Sequence, residues 1–416
     1  MAVDKNLFMY DLAIVAIMRN EAAYVKEWIE YHWAAGVDHF YIYDNESPDN
    51  FKEVLQPYID KGIVTYEFYP GKTRQCEAYM EAIKKYRFFC RYMAFIDADE
   101  FIFPQNTDKS IVEVVDEILD QQEREHRAGI EINWMMYGSN NLEKADYSKG
   151  VLERFTRRAE KFNAIIKTIA NPRKIDYLHT PHYMVYFGEN TPCIDERYKE
   201  EPLIFVNHYS LRSREEYEKK IGFSAAYGTT TVHTVDKFTH EENNDVFDDS
   251  ILKYRDARQS LKRKKKRTDS DKMLKQLMNA IDPILKKTMT EDFFYEKMET
   301  FLLCLKLTKY LEEDGTLKEE TAKNIQTVIL YSIIMSVGNQ TRFSDYKLLL
   351  SELPDILVLN SHGVEKLVDC VVELIPQLKK AVQMTITSTE AMGRWRDFND
   401  LDNLLRMLKA FKNKKI

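Results

Sequence analysis

Between Leu12 and Ile96 the chain alternates short apolar runs with stretches of helical apolar spacing, and few architectures accept that rhythm. Leu12–Met18 (LAIVAIM) is continuously apolar, as a strand buried on both faces must be. Glu21–Ala35 follows, with Val25, Trp28, Ile29 and Trp33 at helical spacing, and Gly36 closes it. His39–Tyr43 (HFYIY), Ile63–Phe68 (IVTYEF) and Tyr92–Ile96 (YMAFI) read as further strands, with helices over Asn50–Lys61 and Cys76–Tyr86 between them. The pattern predicts an α/β domain, its mostly parallel sheet covered by helices on both faces. Ligands on such sheets collect at the carboxyl ends of the strands.

From Ala128 to Tyr209 the pattern is less regular. Ile130–Met135, Ile165–Ile169, Tyr183–Tyr186 and Leu203–Phe205 are strand-like pieces, and Ser213–Ile221 is helical. Beyond Phe247, apolar residues recur at helical spacing through Met273–Leu285, Phe293–Leu311, Ala322–Ser336, Val364–Leu378 and Met392–Phe411. The expected organisation is an α/β domain over residues 1–246 and an all-helical region over 247–416, parted within the charge-rich stretch 236–268. A chain of 416 residues is long enough for both to have their own cores.

Charge and cysteines narrow the function. With 67 acidic against 60 basic side chains, the chain lacks the general positive surface that nucleic-acid phosphates require. Five scattered cysteines, none in CxxC spacing, point away from structural zinc or a disulfide framework and toward a reducing cytosol. No uncharged stretch approaches the ~20 residues of a membrane-spanning helix, and Met1–Asp11 lacks the apolar run of a signal peptide. A cytoplasmic protein is expected, with peripheral membrane attachment as the variant. Lys262–Arg267, six consecutive basic residues, is either a patch for an anionic membrane or a solvated linker.

The fourth strand runs directly into Asp97-Ala98-Asp99-Glu100-Phe101. Two carboxylates one residue apart at a strand end are placed to hold Mn²⁺ or Mg²⁺ against a diphosphate. Two other Asp-X-Asp strings, at Asp269 and Asp400, follow no strand, so context selects Asp97 and Asp99. Other strand ends are polar as well: Arg19-Asn20-Glu21 after the first, Asp44-Asn45-Glu46-Ser47 after the second, and Lys72, Arg74 and Gln75 after the third. Each is also an ordinary turn or cap composition. Their joint placement is the stronger signal.

At these residues the chain resembles the GT-A glycosyltransferases, specifically relatives of glycosyltransferase families 2 and 92, over Leu12 to Ile221. The resemblance runs through Arg19-Asn20-Glu21, Glu27–His32, Gly36–Phe40, Tyr43-Asp44-Asn45, Gln75 and Asp97–Phe101. It continues in Trp134–Gly138, in Lys167, Pro172 and His179, and in Asn207–Ser210 followed by Lys219-Lys220. It implies an inverting, metal-dependent glycosyltransferase, a hexosyltransferase, using a nucleotide sugar, expected to be a UDP-sugar. Asp97 and Asp99 would meet metal and diphosphate, Asp99 at the reacting centre. Asn20, Glu21, Asp44 and Gln75 would line the nucleoside pocket, with Arg19 and Arg74 nearby. His208 is either a further metal ligand or a histidine satisfied by backbone. Inversion needs a general base, for which Glu131, Glu189, Asp195 and the neighbouring Glu196 are the acidic candidates. The acceptor would be a glycan, glycolipid or protein-linked sugar in a polysaccharide-type pathway. The competing reading is a non-catalytic protein that binds a nucleotide sugar or a partner through its helical region. A nucleotidyltransferase is disfavoured, because Ala16–Ala22 contains no glycine for a phosphate loop.

Overall fold

The computed structural model describes residues 5–119, 127–188, 190–221, 238–239, 242–262, 270–285, 298–337, 343–359, 361–384 and 391–414. The chain divides into two compact units, Phe8–Arg267, and Thr268–Ile416 together with Met1–Leu7.

The first unit is α/β. Its leading half is β1 (Tyr10–Met18), α1 (Val25–Ala34), β2 (His39–Asp44), α2 (Phe51–Asp60), β3 (Val64–Phe68), α3 (Gln75–Tyr86), β4 (Cys90–Phe95), β5 (Glu100–Pro104) and α4 (Ile111–Leu119). Then come β6 (Arg127–Met136), α5 (Val151–Arg154), β7 (Arg157–Arg158), β8 (Ile166–Ala170), β9 (Ile175–Leu178), β10 (Met184–Tyr186) and β11 (Thr191–Cys193). β12 (Ile204–His208), α6 (Arg214–Lys220), β13 (Val246–Phe247) and α7 (Ser250–Ser260) complete it. β5, α4 and α7 have no counterpart among the elements expected from sequence.

One mixed sheet carries the order β3-β2-β1-β4-β8-β6-β12-β5, with β11 paired to β6. The β1–β4 group is parallel, as the continuous apolar runs predict, and Leu12–Met18 is entirely buried. β8 enters antiparallel to both β4 and β6, and β5 runs antiparallel to β12.

The path from β4 to β5 shapes the molecule. Three strands separate them in the sheet, which laid flat would set them about 19 Å apart. Five residue steps from Phe95 to Glu100 reach at most about 18 Å when fully extended. The link is far from extended, because the Glu100 amide donates to the Asp97 carbonyl at 3.2 Å. The sheet therefore curls until its far edge returns beside β4, and the acidic turn lies in the mouth of that curl.

Helix α1 seals the exposed edge of β5. Trp28 Nε1 donates to the Glu100 carbonyl and Tyr31 Oη to the Ile102 carbonyl, each at 2.8 Å. The Ile102 amide donates to His32 Nε2 at 3.2 Å, and His32 Nδ1 in turn donates to the Trp28 carbonyl. An open strand edge is thereby satisfied by side chains instead of water.

The second unit is helical: α8 (Ser270–Leu285), α9 (Met298–Glu313), α10 (Glu319–Val337), α11 (Phe343–Ile356), α12 (Gly363–Met384) and α13 (Ala391–Lys414). Its core is apolar, built from residues such as Leu277, Phe301, Ile329, Leu353 and Val371. Among the described residues no helix is long and apolar enough to cross a membrane.

Candidate functional site

The mouth of the curl gathers charge. Asp97 accepts from Lys167 Nζ on one oxygen (2.7 Å) and from Gln75 Nε2, at the first position of α3, on the other (2.6 Å). The Asp97 amide donates to Glu100 Oε2 at 2.9 Å, and the same glutamate oxygen lies 3.4 Å from Lys167 Nζ. Lys167 and Glu100 are fully buried. Burial alone would discharge the lysine, but Asp97 and Glu100 outweigh it and hold its pKa above the ordinary value. At Glu100 the balance falls to burial instead. Burial raises its pKa to about 7, against the opposing pull of Lys167.

Asp99 is met from β12 and α6. His208 Nε2, at the end of β12, lies 3.5 Å from one carboxylate oxygen, and Lys220 Nζ, in the last turn of α6, lies 3.2 Å from the other. The Tyr209 amide donates to the Asp99 carbonyl at 2.8 Å, fixing the turn against β12. Burial would raise the Asp99 pKa, but Lys220 and His208 hold it well below the usual carboxylate range. The reciprocal holds for His208, where Asp99 overcomes burial and lifts the imidazole above its ordinary value.

Sheet register explains the company these groups keep. Val206 pairs with Trp134, His208 with Glu100, and Ile132 with Lys167. Side chains alternate between faces, so Trp134, Lys167, His208 and Glu100 share one face. The Trp134 ring packs on His208 with centroids 4.2 Å apart.

Lys220 is held in place by its helix. Ser213 and Glu216 form a reciprocal capping box at the start of α6. Glu216 also accepts two bonds from Arg154, at 2.7 and 3.0 Å, and one from Tyr24 Oη at 2.8 Å. Beside it the buried Arg212 guanidinium lies 3.6 Å over the Tyr24 ring and donates to Glu21 at 3.0 Å.

The other strand-end residues form a polar rim. Asp44 accepts from Tyr66 Oη and the Ser47 amide, at 2.7 and 2.9 Å. Asn20 has left-handed backbone (φ 60°), and its amide donates to Ser47 Oγ at 3.0 Å. Arg19 is exposed. Arg74 lies over the Tyr69 ring and pairs with Glu77.

Not every candidate joins this group. Glu131 is one residue off the Ile132 register, so it projects from the opposite face to Lys167 and meets Arg197 at 3.4 Å. Asp195 heads the short turn Glu196–Tyr198, and Glu196 itself accepts from the Leu203 amide, a loop-fixing role. Glu189 and the basic residues 263–267 lie outside the described residues. The Asp400-Leu401-Asp402 string is inside α13, where Asp402 pairs with Lys379.

Sequence reading missed Arg212 altogether and gave no role to Lys167 or Lys220. Lys167 had a signal, since a lysine inside an apolar strand (IIKTIA) must be met by carboxylates. Arg212 had none, because its partner Glu21 is 191 positions away.

The donor set can also be tested for a divalent ion. Among the described residues no three His, Cys, Asp or Glu side chains form a ready cation cage. Asp99 Oδ1 and His208 Nε2, 3.5 Å apart, are close enough to share one ion, whereas both Asp97 oxygens are engaged by Lys167 and Gln75. Two protein donors suit an ion that takes its remaining ligands from phosphate and water.

An α/β sheet with an acidic turn and cations gathered at its strand ends places a charged site where ligands of such sheets bind. Residues 15–279 match the model of glycosyltransferase family 92, and the chain belongs to that family. A family 92 protein of Ricinus communis is 25% identical over 239 residues, covering 56% of this chain and 40% of its own length. One from Oryza sativa subsp. japonica is 27% identical over 218 residues, covering 51% and 35%. The chain thus spans well under half the length of these curated relatives. Among solved structures, S. aureus TarS 1-349 in complex with UDP aligns over 98% of this chain and 92% of its own. Its 13% identity and TM-score of 0.25 are too low to transfer anything further.

Proposed function

We propose that the α/β unit is a metal-dependent hexosyltransferase that moves a sugar from a UDP-sugar onto a glycan, glycolipid or protein-linked acceptor, with inversion. The carrying observation is the convergence of Asp97 and Asp99 with Lys167, His208, Lys220 and Arg212 in the mouth of the curled sheet, within the span that matches the family. Breaking the bond from sugar to phosphate leaves negative charge on the departing diphosphate, and fixed cations aimed there lower the barrier. In this reading Lys220 and Arg212 neutralise the diphosphate. Lys167 orients Asp97, and Asp44, Asn20, Glu21, Gln75, Arg19 and Arg74 form the nucleoside side of the pocket. Asp99 and His208 would hold Mn²⁺ or Mg²⁺, which supplies charge stabilisation to the leaving group. A cytoplasmic polysaccharide or glycolipid pathway is the setting this reading expects.

The test is thermal stability against a panel of nucleoside diphosphates and nucleotide sugars, each with and without Mn²⁺. A ligand that binds only folded protein raises the melting temperature by mass action. A metal-dependent rise with uridine nucleotides, abolished in Asp99→Asn with the fold retained, is the expected result. A flat panel from folded protein would refute the proposal.

A further inference from the structure

We propose that His182 is the general base of the transfer, an inference that rests on the glycosyltransferase reading above. Inversion by direct displacement requires a group to take the acceptor hydroxyl's proton. Of the acids read from sequence, Glu131 lies on the opposite face and is paired to Arg197, and Glu196 is taken up in fixing its own loop.

The His182 ring is held in one tautomer. Its Nδ1 lies 2.9 Å from the Ile166 carbonyl oxygen. That oxygen can only accept, so Nδ1 carries the proton and Nε2 keeps its lone pair. The backbone around it is fixed too. The His182 amide donates to Thr180 Oγ1 and its carbonyl accepts from Thr168 Oγ1, both at 3.1 Å. Thr168 belongs to β8, the strand that carries Lys167, so the ring's anchor and the charged centre share one rigid element.

Position follows from the aromatic contacts. His182 meets the Trp134 ring edge-on with centroids 5.4 Å apart, and the same indole packs on His208 at 4.2 Å. His182 thus stands one indole away from the His208–Asp99 pair, within the electrostatic reach of Lys167, Asp97 and His208. It is partly exposed, so a hydroxyl can approach it. Burial first, and Lys167 second, hold its pKa below the ordinary histidine value. The imidazole is therefore neutral at neutral pH, the state a base needs.

The acceptor oxygen bonds to the anomeric carbon while the bond from that carbon to the diphosphate oxygen breaks. The electron pair of the broken bond leaves on UDP. The hydroxyl proton passes to His182 Nε2 and from there to solvent.

His182→Asn separates this role from a structural one, because the asparagine amide nitrogen occupies the Nδ1 position and still donates to Ile166. Turnover is read as UDP release from a panel of UDP-sugars with Mn²⁺, using water as the acceptor, and donor binding is read as the rise in melting temperature. The expected result is a kcat lowered about a hundredfold or more, with donor KM and the donor-induced thermal shift unchanged. Partial return of turnover on adding imidazole to His182→Ala gives a second expected result that does not depend on the asparagine. His182→Asn activity within about threefold of wild type would overturn the assignment. So would wild-type protein that binds a donor yet releases no UDP, since a poised base activates water. Failure of the wild type to bind any UDP-sugar is a different outcome, and it would overturn the transferase reading together with the base.

Discussion

The two units bury polar groups in opposite ways. In the α/β unit, whole charges are buried: Lys167, Glu100, Arg154, Glu216, Arg212 and His208. Each is met by a partner from a distant part of the chain. In the helical unit the described buried polar residues are mostly hydroxyls that bond within their own helix. Thr308 donates to the Cys304 carbonyl, Ser332 to Val328 and Ser336 to Ser332. Glu352, met by Lys306 at 2.9 Å, is the buried acid there. Hydroxyls bonded to the preceding turn cost little to bury, whereas a buried charge is expensive without a partner. Clusters of the costly kind accumulate where chemistry requires them. The contrast therefore sets the α/β unit apart as the one whose buried charges mark a candidate site, independently of any motif.

The contrast can be broken most directly at Lys167. Lys167→Met leaves Asp97 and the buried Glu100 without their cation, and the expected loss is about 3–5 kcal/mol in urea unfolding. A loss below about 1 kcal/mol would show that the cluster is solvated and the contrast false. Next in size is the acid limb of stability. Burial would raise the Glu216 pKa, but Arg154, Ser213 and Tyr24 lower it from 4.5 to about 2. A carboxylate depressed in the folded state stabilises fully above its unfolded value. That contribution, roughly 3 kcal/mol, is lost as pH falls from 4.5 toward about 2. Stability-against-pH curves for wild type and Glu216→Gln should converge over that window, and parallel curves would disprove the clamp. The smallest effect belongs to the helical unit, where Lys412 and Asp369 pair with both side chains about half exposed. Lys412→Ala should change unfolding free energy by no more than about 0.5 kcal/mol. A larger loss would mean that this surface pair, too, is structural.

Much of the fold was legible because burial writes itself into apolar periodicity. β1 to β4 and the helices between them follow from runs such as LAIVAIM and HFYIY. The elements that passed unread have weaker or conflicting signals. β5 is five residues long and directly follows the acidic turn, and its pairing with β12 is remote in sequence. α4 (IVEVVDEIL) is rich in β-branched residues that favour strands. Ser110 and Glu113 settle it as a helix by bonding reciprocally at its start. α7 buries only Ile251 and Tyr254, too few for a stripe. In the site, Asp97, Asp99 and His208 were visible as residues, and so were Lys167 and Lys220, but which acid each lysine meets was not, because pairing is a property of the curl. Glu131 shows the converse. Its acidity was plain in the sequence, and only the strand register reveals which face it takes.

The span from Phe95 to Glu100 has a consequence for how such a chain can change over time. A change at Ala98, which carries none of the site's charge, alters one side chain, whereas an inserted or deleted residue shifts every group beyond it. A single added residue would displace Asp99 from His208 and Tyr209 by up to about 3.4 Å, more than any of the contacts that fasten the turn would survive. The stretch is therefore held in length as firmly as in its acids, behaving as a ruler between the centre of the sheet and its returning edge.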